Sequence, residues 1–206
     1  MAHLKEKSSK ARQGIGLIKH LRTYIPIKSL EQIYKMHARS HLDYCDVIYH
    51  VPPIENTDNY DVNLNFQMRA LESLQYQAAL AITGTWRGTN RDKIYEELGW
   101  ESLQNRRMSR RLSQFYKIMN GMTPMYMVNP VPKPRQNLYG FRSTNVIPLL
   151  KCRTNRFKKS FYPDAIKCWN NIGPEFRNTP SLSLFKSKIL NLIRPAKKAY
   201  LILTTL

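Results

Sequence analysis

Between Leu103 and Met119 the apolar residues Met108, Leu112, Phe115, Tyr116 and Met119 recur at three- and four-residue intervals, which predicts one helix of ~25 Å with a wide apolar stripe. A stripe of that width must be covered by other elements to leave water, so it dictates a helical core around itself. Arg106, Arg107, Arg110, Arg111 and Lys117 are expected on the opposite side, as a ridge of cations backed by the stripe. Four arginines within six residues cannot neutralise one another. A phosphate backbone does so through bidentate, charge-assisted contacts and counterion release. The competing arrangement, a solvated face paired with carboxylates, has only three acidic residues to draw on between positions 101 and 206.

The rest of the chain is punctuated for helices too. After Pro26, the apolar residues Ile27, Leu30, Ile33 and Tyr34 predict a helix running towards Tyr49 and stopped by Val51-Pro52-Pro53. Residues 54–66 carry Asn, Asp and Glu without a basic residue and are expected to form a solvated loop. A second helix is predicted from near Gln67, with Leu71, Leu74, Ala78, Ala81 and Ile82 in one arc and Gly84 as its stop. Thr89-Asn90-Arg91-Asp92 resembles a capping sequence for a short helix that Gly99 closes. Thr123-Pro124 opens another short helix. Prolines 130, 132, 134 and 148 then predict a long irregular segment, a linker or binding arm. Two further helices are expected, from Pro163 to Asn171 and from Ser181 to Ile193, the latter with Leu184, Phe185, Ile189 and Leu192 on one face. The predicted fold class is all-α: a helical bundle over 1–128, a Pro-rich basic linker over 129–156 and a small helical C-terminal unit over 157–206.

Charge narrows the partners. The 206 residues hold 33 Lys and Arg against 14 Asp and Glu, a formal net charge of +19, with 42% apolar residues. Residues 101–206 alone carry 20 basic against three acidic groups. Such an excess calls for a polyanion, and nucleic acid fits better than a membrane surface, since neither an amphipathic anchor nor a spanning apolar run is present. The polar N-terminus and three unpaired cysteines, Cys45, Cys152 and Cys168, predict an intracellular protein of nucleus or cytoplasm, not a secreted one. Arg153, Arg156, Lys158 and Lys159 are interleaved with Phe157, Phe161 and Tyr162, a pattern that lets cations follow phosphates while rings stack on bases. The same rings are equally suited to anchoring the following helix in a core.

Catalytic chemistry is harder to find. His37, His41 and Cys45 are spaced by four, yet one helix rarely supplies three ligands to a tetrahedral zinc, so helix packing is the expected role. Glu96 and Glu97 are the only adjacent acidic pair, and neighbours on a helix point about 100 degrees apart, too far to share a catalytic metal. No cofactor, no metal site and no catalytic residue is expected in this chain.

Several stretches, in order, carry a family likeness: Ser40 to Tyr49 (SHLDYCDVIY), Leu71 to Ala78 (LESLQYQA), Ala81 to Gly84 (AITG), Glu97 to Leu103 (ELGWESL) with Arg106-Arg107, Phe115 to Gly121 (FYKIMNG), Ser160-Phe161-Tyr162-Pro163 with Trp169-Asn170, and Phe185-Lys186-Ser187. Together they resemble the C-terminal thumb and post-thumb region of non-LTR (LINE, jockey-like) retrotransposon reverse transcriptases, from about residue 4 to about residue 195. The resemblance implies a thumb-like helical bundle that grips an RNA or DNA template-primer without reading sequence, followed by a basic segment. It also implies that the RNA-directed DNA polymerase chemistry, with its Mg ions and paired aspartates, belongs to a palm that is missing here together with the fingers. The family's Arg-Pro-His-Leu-Asp-Tyr is Arg39-Ser40-His41-Leu42-Asp43-Tyr44 in this chain, and the end from Ala196 departs from the pattern, as truncation or a shifted frame would produce. On this reading the chain binds and does not catalyse alone. Its nucleic-acid-binding residues are expected to be Arg106, Arg107, Arg110, Arg111, Lys117, Arg153, Arg156, Lys158 and Lys159. The alternatives are a basic helical module docking on an acidic protein, or a co-opted retroelement-derived protein.

Overall fold

The computed structural model describes residues 2–49, 59–133 and 146–193. Among these residues every regular element is helical and none is a strand, so the chain is all-α. No helix among them is long and apolar enough to cross a membrane. The elements are α1 (Ala2–Leu21), α2 (Ile27–Ile33), a π-helical stretch (Tyr34–Arg39), α3 (Ser40–Asp43), α4 (Asp46–Tyr49), α5 (Asn59–Thr83) and α6 (Arg91–Glu97). They continue with α7 (Leu103–Met119), α8 (Met125–Val128), α9 (Asn155–Lys158), α10 (Phe161–Asn171), α11 (Pro174–Arg177) and α12 (Leu182–Ile193).

Two compact units emerge. Unit 1 comprises Met1–Asp46 and Pro53–Arg106, and unit 2 comprises Val47–Pro52 and Arg107–Leu206. The division therefore falls inside α7 and not at residue 128. Nor is 129–156 simply a linker. Residues 134–145 lie outside the described ones, but Val131 and Ile147 on either side pack into the core of unit 2. Ile147 is held there because the Asn170 side chain accepts from its N–H at 3.0 Å and donates to its carbonyl at 2.8 Å, replacing the strand or helix partner an irregular segment lacks.

In unit 1, α1 packs against the π-helical stretch and α5. Its buried residues Leu4, Ala11, Ile15 and Ile18 follow helical spacing. Gly14 makes the close approach feasible, because a Cβ there would lie 2.7 Å from the His37 carbonyl oxygen. The helix predicted from Ile27 to Tyr49 is instead interrupted twice. It widens into the π-helical stretch at Tyr34, then ends at Asp43, after which Cys45 takes φ 56. That break removes Cys45 from the helical register of His37 and His41.

Two tyrosines of unit 1 are buried with their hydroxyls bonded: Tyr34 donates to Gln75 Oε1 at 3.0 Å and Tyr95 to Glu72 Oε1 at 3.2 Å. Tyr34 also stacks on Trp100, ring centroids 4.3 Å apart. Burial pushes both phenols above their ordinary range, and the Glu72 carboxylate adds to the effect at Tyr95. Unfolding would release them to ionise near their usual pKa of about 10. The stability they carry is therefore complete below that pH and declines as pH rises beyond it. Urea unfolding followed at pH 8 and pH 11 should show a lower midpoint at the higher pH, with a smaller difference in Tyr34→Phe. Equal midpoints in the parent chain would contradict this.

Unit 2 is built around rings. Tyr116 stacks on Phe185 at 4.5 Å and Phe115 meets Trp169 edge-on at 5.4 Å, contacts worth about 1 kcal/mol each beyond the area they bury. The Tyr116 hydroxyl is satisfied by the Thr179 carbonyl at 2.6 Å. Short caps fix the surrounding helices: Thr154 Oγ1 accepts from Phe157 N at 3.2 Å at the start of α9, and Ser181 Oγ accepts from Leu184 N at 3.3 Å at the start of α12. Cys45, Cys152 and Cys168 are free thiols.

Candidate nucleic-acid interface

The expected arginine ridge on α7 does not face outward as a whole. At about 100 degrees per residue, Arg106, Arg110 and Lys117 fall within a narrow arc, whereas Arg107 and Arg111 turn towards the apolar side. Arg107 is 2% exposed and Arg111 1%. With Leu103, Met108, Leu112, Phe115, Tyr116 and Ile118 also buried, the helix is covered round most of its circumference.

Arg111 is an interior strut of unit 2. Its Nη1 donates to the Val47 carbonyl at 3.1 Å, and its Nη2 donates to the carbonyls of Ser160 and Phe161 at 3.1 and 3.3 Å. The same Nη2 lies 3.1 Å from Asp164 Oδ2, a carboxylate that is itself 5% exposed in the first turn of α10. The guanidinium also lies over the Phe161 ring, 5.4 Å from its centroid. Arg107 lies over the Tyr49 ring at 5.7 Å. In unit 1, Arg106 Nε donates to both carboxylate oxygens of Asp43, at 3.2 and 3.0 Å. These arginines were expected to contact phosphate. The structure commits Arg107 and Arg111 to the protein interior and Arg106 to an internal carboxylate. Arg110 and Lys117 are half-buried.

The second expected cluster is placed differently. Arg153, Arg156 and Lys158 are exposed and Lys159 is half-buried, all on or beside α9. Lys151, which sequence reasoning left out, is exposed just before them, and Lys167 and Lys186 are exposed on α10 and α12. The rings divide as well. Trp169 is buried, Phe161 packs on the core, and the Tyr162 hydroxyl donates to the Met127 carbonyl at 3.0 Å. Only Phe157 among them is open, at 45% exposure. Interleaving of basic and aromatic residues thus has a structural cause: α9 turns its cations out, and the next turn of chain turns its rings in.

Division into units sharpens the charge asymmetry. Unit 2 contains nineteen Lys and Arg against two carboxylates, Asp164 and Glu175, while unit 1 holds fourteen against twelve. Since Asp164 is locked to Arg111, Glu175 is the one carboxylate of unit 2 at its surface. Among the described residues, no group of three His, Cys, Asp or Glu side chains is placed to hold a metal ion. No family model matches the chain, and no curated protein or solved structure is significantly similar to it.

Proposed function

We propose that this chain is a thumb-like, nucleic-acid-binding portion of a retroelement reverse transcriptase, holding a template-primer through its phosphates without reading bases. The observation that carries the proposal is the segregation of charge: unit 2 has nineteen cations and a single surface carboxylate. A surface so unbalanced is quenched by a polyanion, and a regular row of phosphates matches cations spread along Lys151, Arg153, Arg156, Lys158 and Lys159. The ordered resemblance of its segments to non-LTR polymerases supplies the biological context. Polymerase chemistry would come from a palm with its Mg ions, to which this chain contributes grip.

The test is a salt titration of the full chain on an RNA–DNA hybrid. If about five phosphates are contacted, log affinity should fall against log salt with a slope of roughly −4 to −5. Duplexes of unrelated sequence should give the same slope and similar affinities. A slope near zero, or strong preference for one sequence, overturns the proposal.

A further inference from the structure

Unit 1 is nearly balanced in charge, yet one cleft in it is not. A cavity of about 280 Å³ opens where α1 and α5 end, lined by Lys19, Arg22, Gln77, Thr85 and Arg87 over a floor of Leu80 and Ala81. Three cations and two neutral polar groups converge there without a carboxylate among them. The negative ends of the two helices account for part of this charge. Arg22 lies directly against Gly84, which follows α5 with φ 74, and any side chain there would collide with its guanidinium. Arg87 comes from the loop and adds positive charge that no lining residue balances.

That loop is firmly built. Gly84 N donates to the Leu80 carbonyl at 2.9 Å, and the Thr83 and Thr85 hydroxyls bond each other at 2.9 Å. Thr89 donates to the Trp86 carbonyl through its hydroxyl at 2.8 Å, and the Tyr76 hydroxyl donates to the Thr89 carbonyl at 2.7 Å. On this frame Trp86, next in sequence to Thr85 and Arg87 of the cleft lining, is 85% exposed. A large exposed ring on a hydrogen-bonded loop that also supplies two residues to a cationic pocket is suited to stacking on a base.

The geometry points to a site for a nucleotide phosphomonoester, its phosphate in the cleft and its base on Trp86. A phosphomonoester carries a charge of about −1.5 to −2 at neutral pH, which suits three cations better than the single charge of a backbone diester. The ligand is either a free nucleotide or the phosphorylated end of a strand. The site shares no residue with the cations of unit 2, so each proposal can fail without the other.

The full chain would be titrated with adenosine monophosphate, adenosine, inorganic phosphate, and a 12-mer oligonucleotide bearing either a 5′-phosphate or a 5′-hydroxyl. The monophosphate should quench tryptophan emission, the signal should vanish in Trp86→Phe, and inorganic phosphate should compete. Adenosine should bind about tenfold more weakly, and Lys19→Glu and Arg87→Glu should each weaken the monophosphate about tenfold with unchanged melting temperature. Arg156→Glu with Lys158→Glu should leave its affinity alone. Tighter binding of the 5′-phosphorylated 12-mer, lost in Arg87→Glu, identifies a strand end as the ligand. Equal binding of the two oligonucleotides, with the monophosphate still bound, identifies a free nucleotide. Equal affinity for adenosine and its monophosphate, or no effect of Arg87→Glu, overturns the assignment.

Discussion

Replacing Asp164 by alanine is expected to destabilise unit 2 by about 3 kcal/mol or more, the usual consequence of stripping one partner from a buried ion pair. Arg111 would keep its three carbonyl acceptors, of Val47, Ser160 and Phe161, but its buried charge would lose the Asp164 carboxylate that lies 3.1 Å from Nη2. The counterpart Arg111→Met should also be costly, because the buried Asp164 carboxylate loses the guanidinium 3.1 Å away. Joint replacement, Arg111→Met with Asp164→Leu, should recover much of the loss, since two apolar side chains need no compensation. Hydrogen exchange read over α10 and α12 separates this effect from any change in unit 1. Protection of those helices in Asp164→Ala equal to that of the parent would show that the pair contributes nothing.

The second large effect concerns binding. Arg156→Glu combined with Lys158→Glu reverses two exposed charges on α9 and should lower affinity for an RNA–DNA hybrid about a hundredfold at low salt, with the salt slope shallower by about two. Neither side chain supports the core, so the melting temperature should hold. An acidic protein as the true partner would leave hybrid binding intact in this variant, and that outcome removes α9 from the interface. The corresponding change at Arg107 is no such test. A carboxylate introduced there would be buried beside the Tyr49 ring, and loss of binding would only report loss of fold.

Arg107 also shows where the sequence was legible and where it was not. The bounds of α7 follow from its apolar spacing, and the stops at Gly84 and Gly99 follow from glycine's tolerance of the positive φ they adopt, 74 and 63. The direction of each arginine does not follow from residue type. Arginine is expected outside, and only its neighbours say otherwise. Ile118 lies seven residues after Arg111 and eleven after Arg107, on the same face as both, and it is buried at 1%. Extending the apolar stripe to include it would have placed both guanidinium groups on the covered side. The N-terminal helix went unseen for a different reason. Its buried positions include Ala11 and Gly14, residues whose small size marks close packing and not hydrophobic patterning. The partner of Arg111 is 53 positions away in sequence, a pairing that only the folded chain defines. The cleft by Trp86 brings together three separate stretches of unit 1, so its cations are scattered through the sequence and leave no local motif.

A formal net charge of +17 over the sequence of unit 2 raises that unit's own energy, because like charges repel one another. Dissolved ions that mask them relieve this strain. Salt consequently acts on unit 2 in two opposing directions: it loosens any hold on a polyanion while tightening the scaffold that would do the holding. Unit 1, close to neutral, feels neither pull strongly.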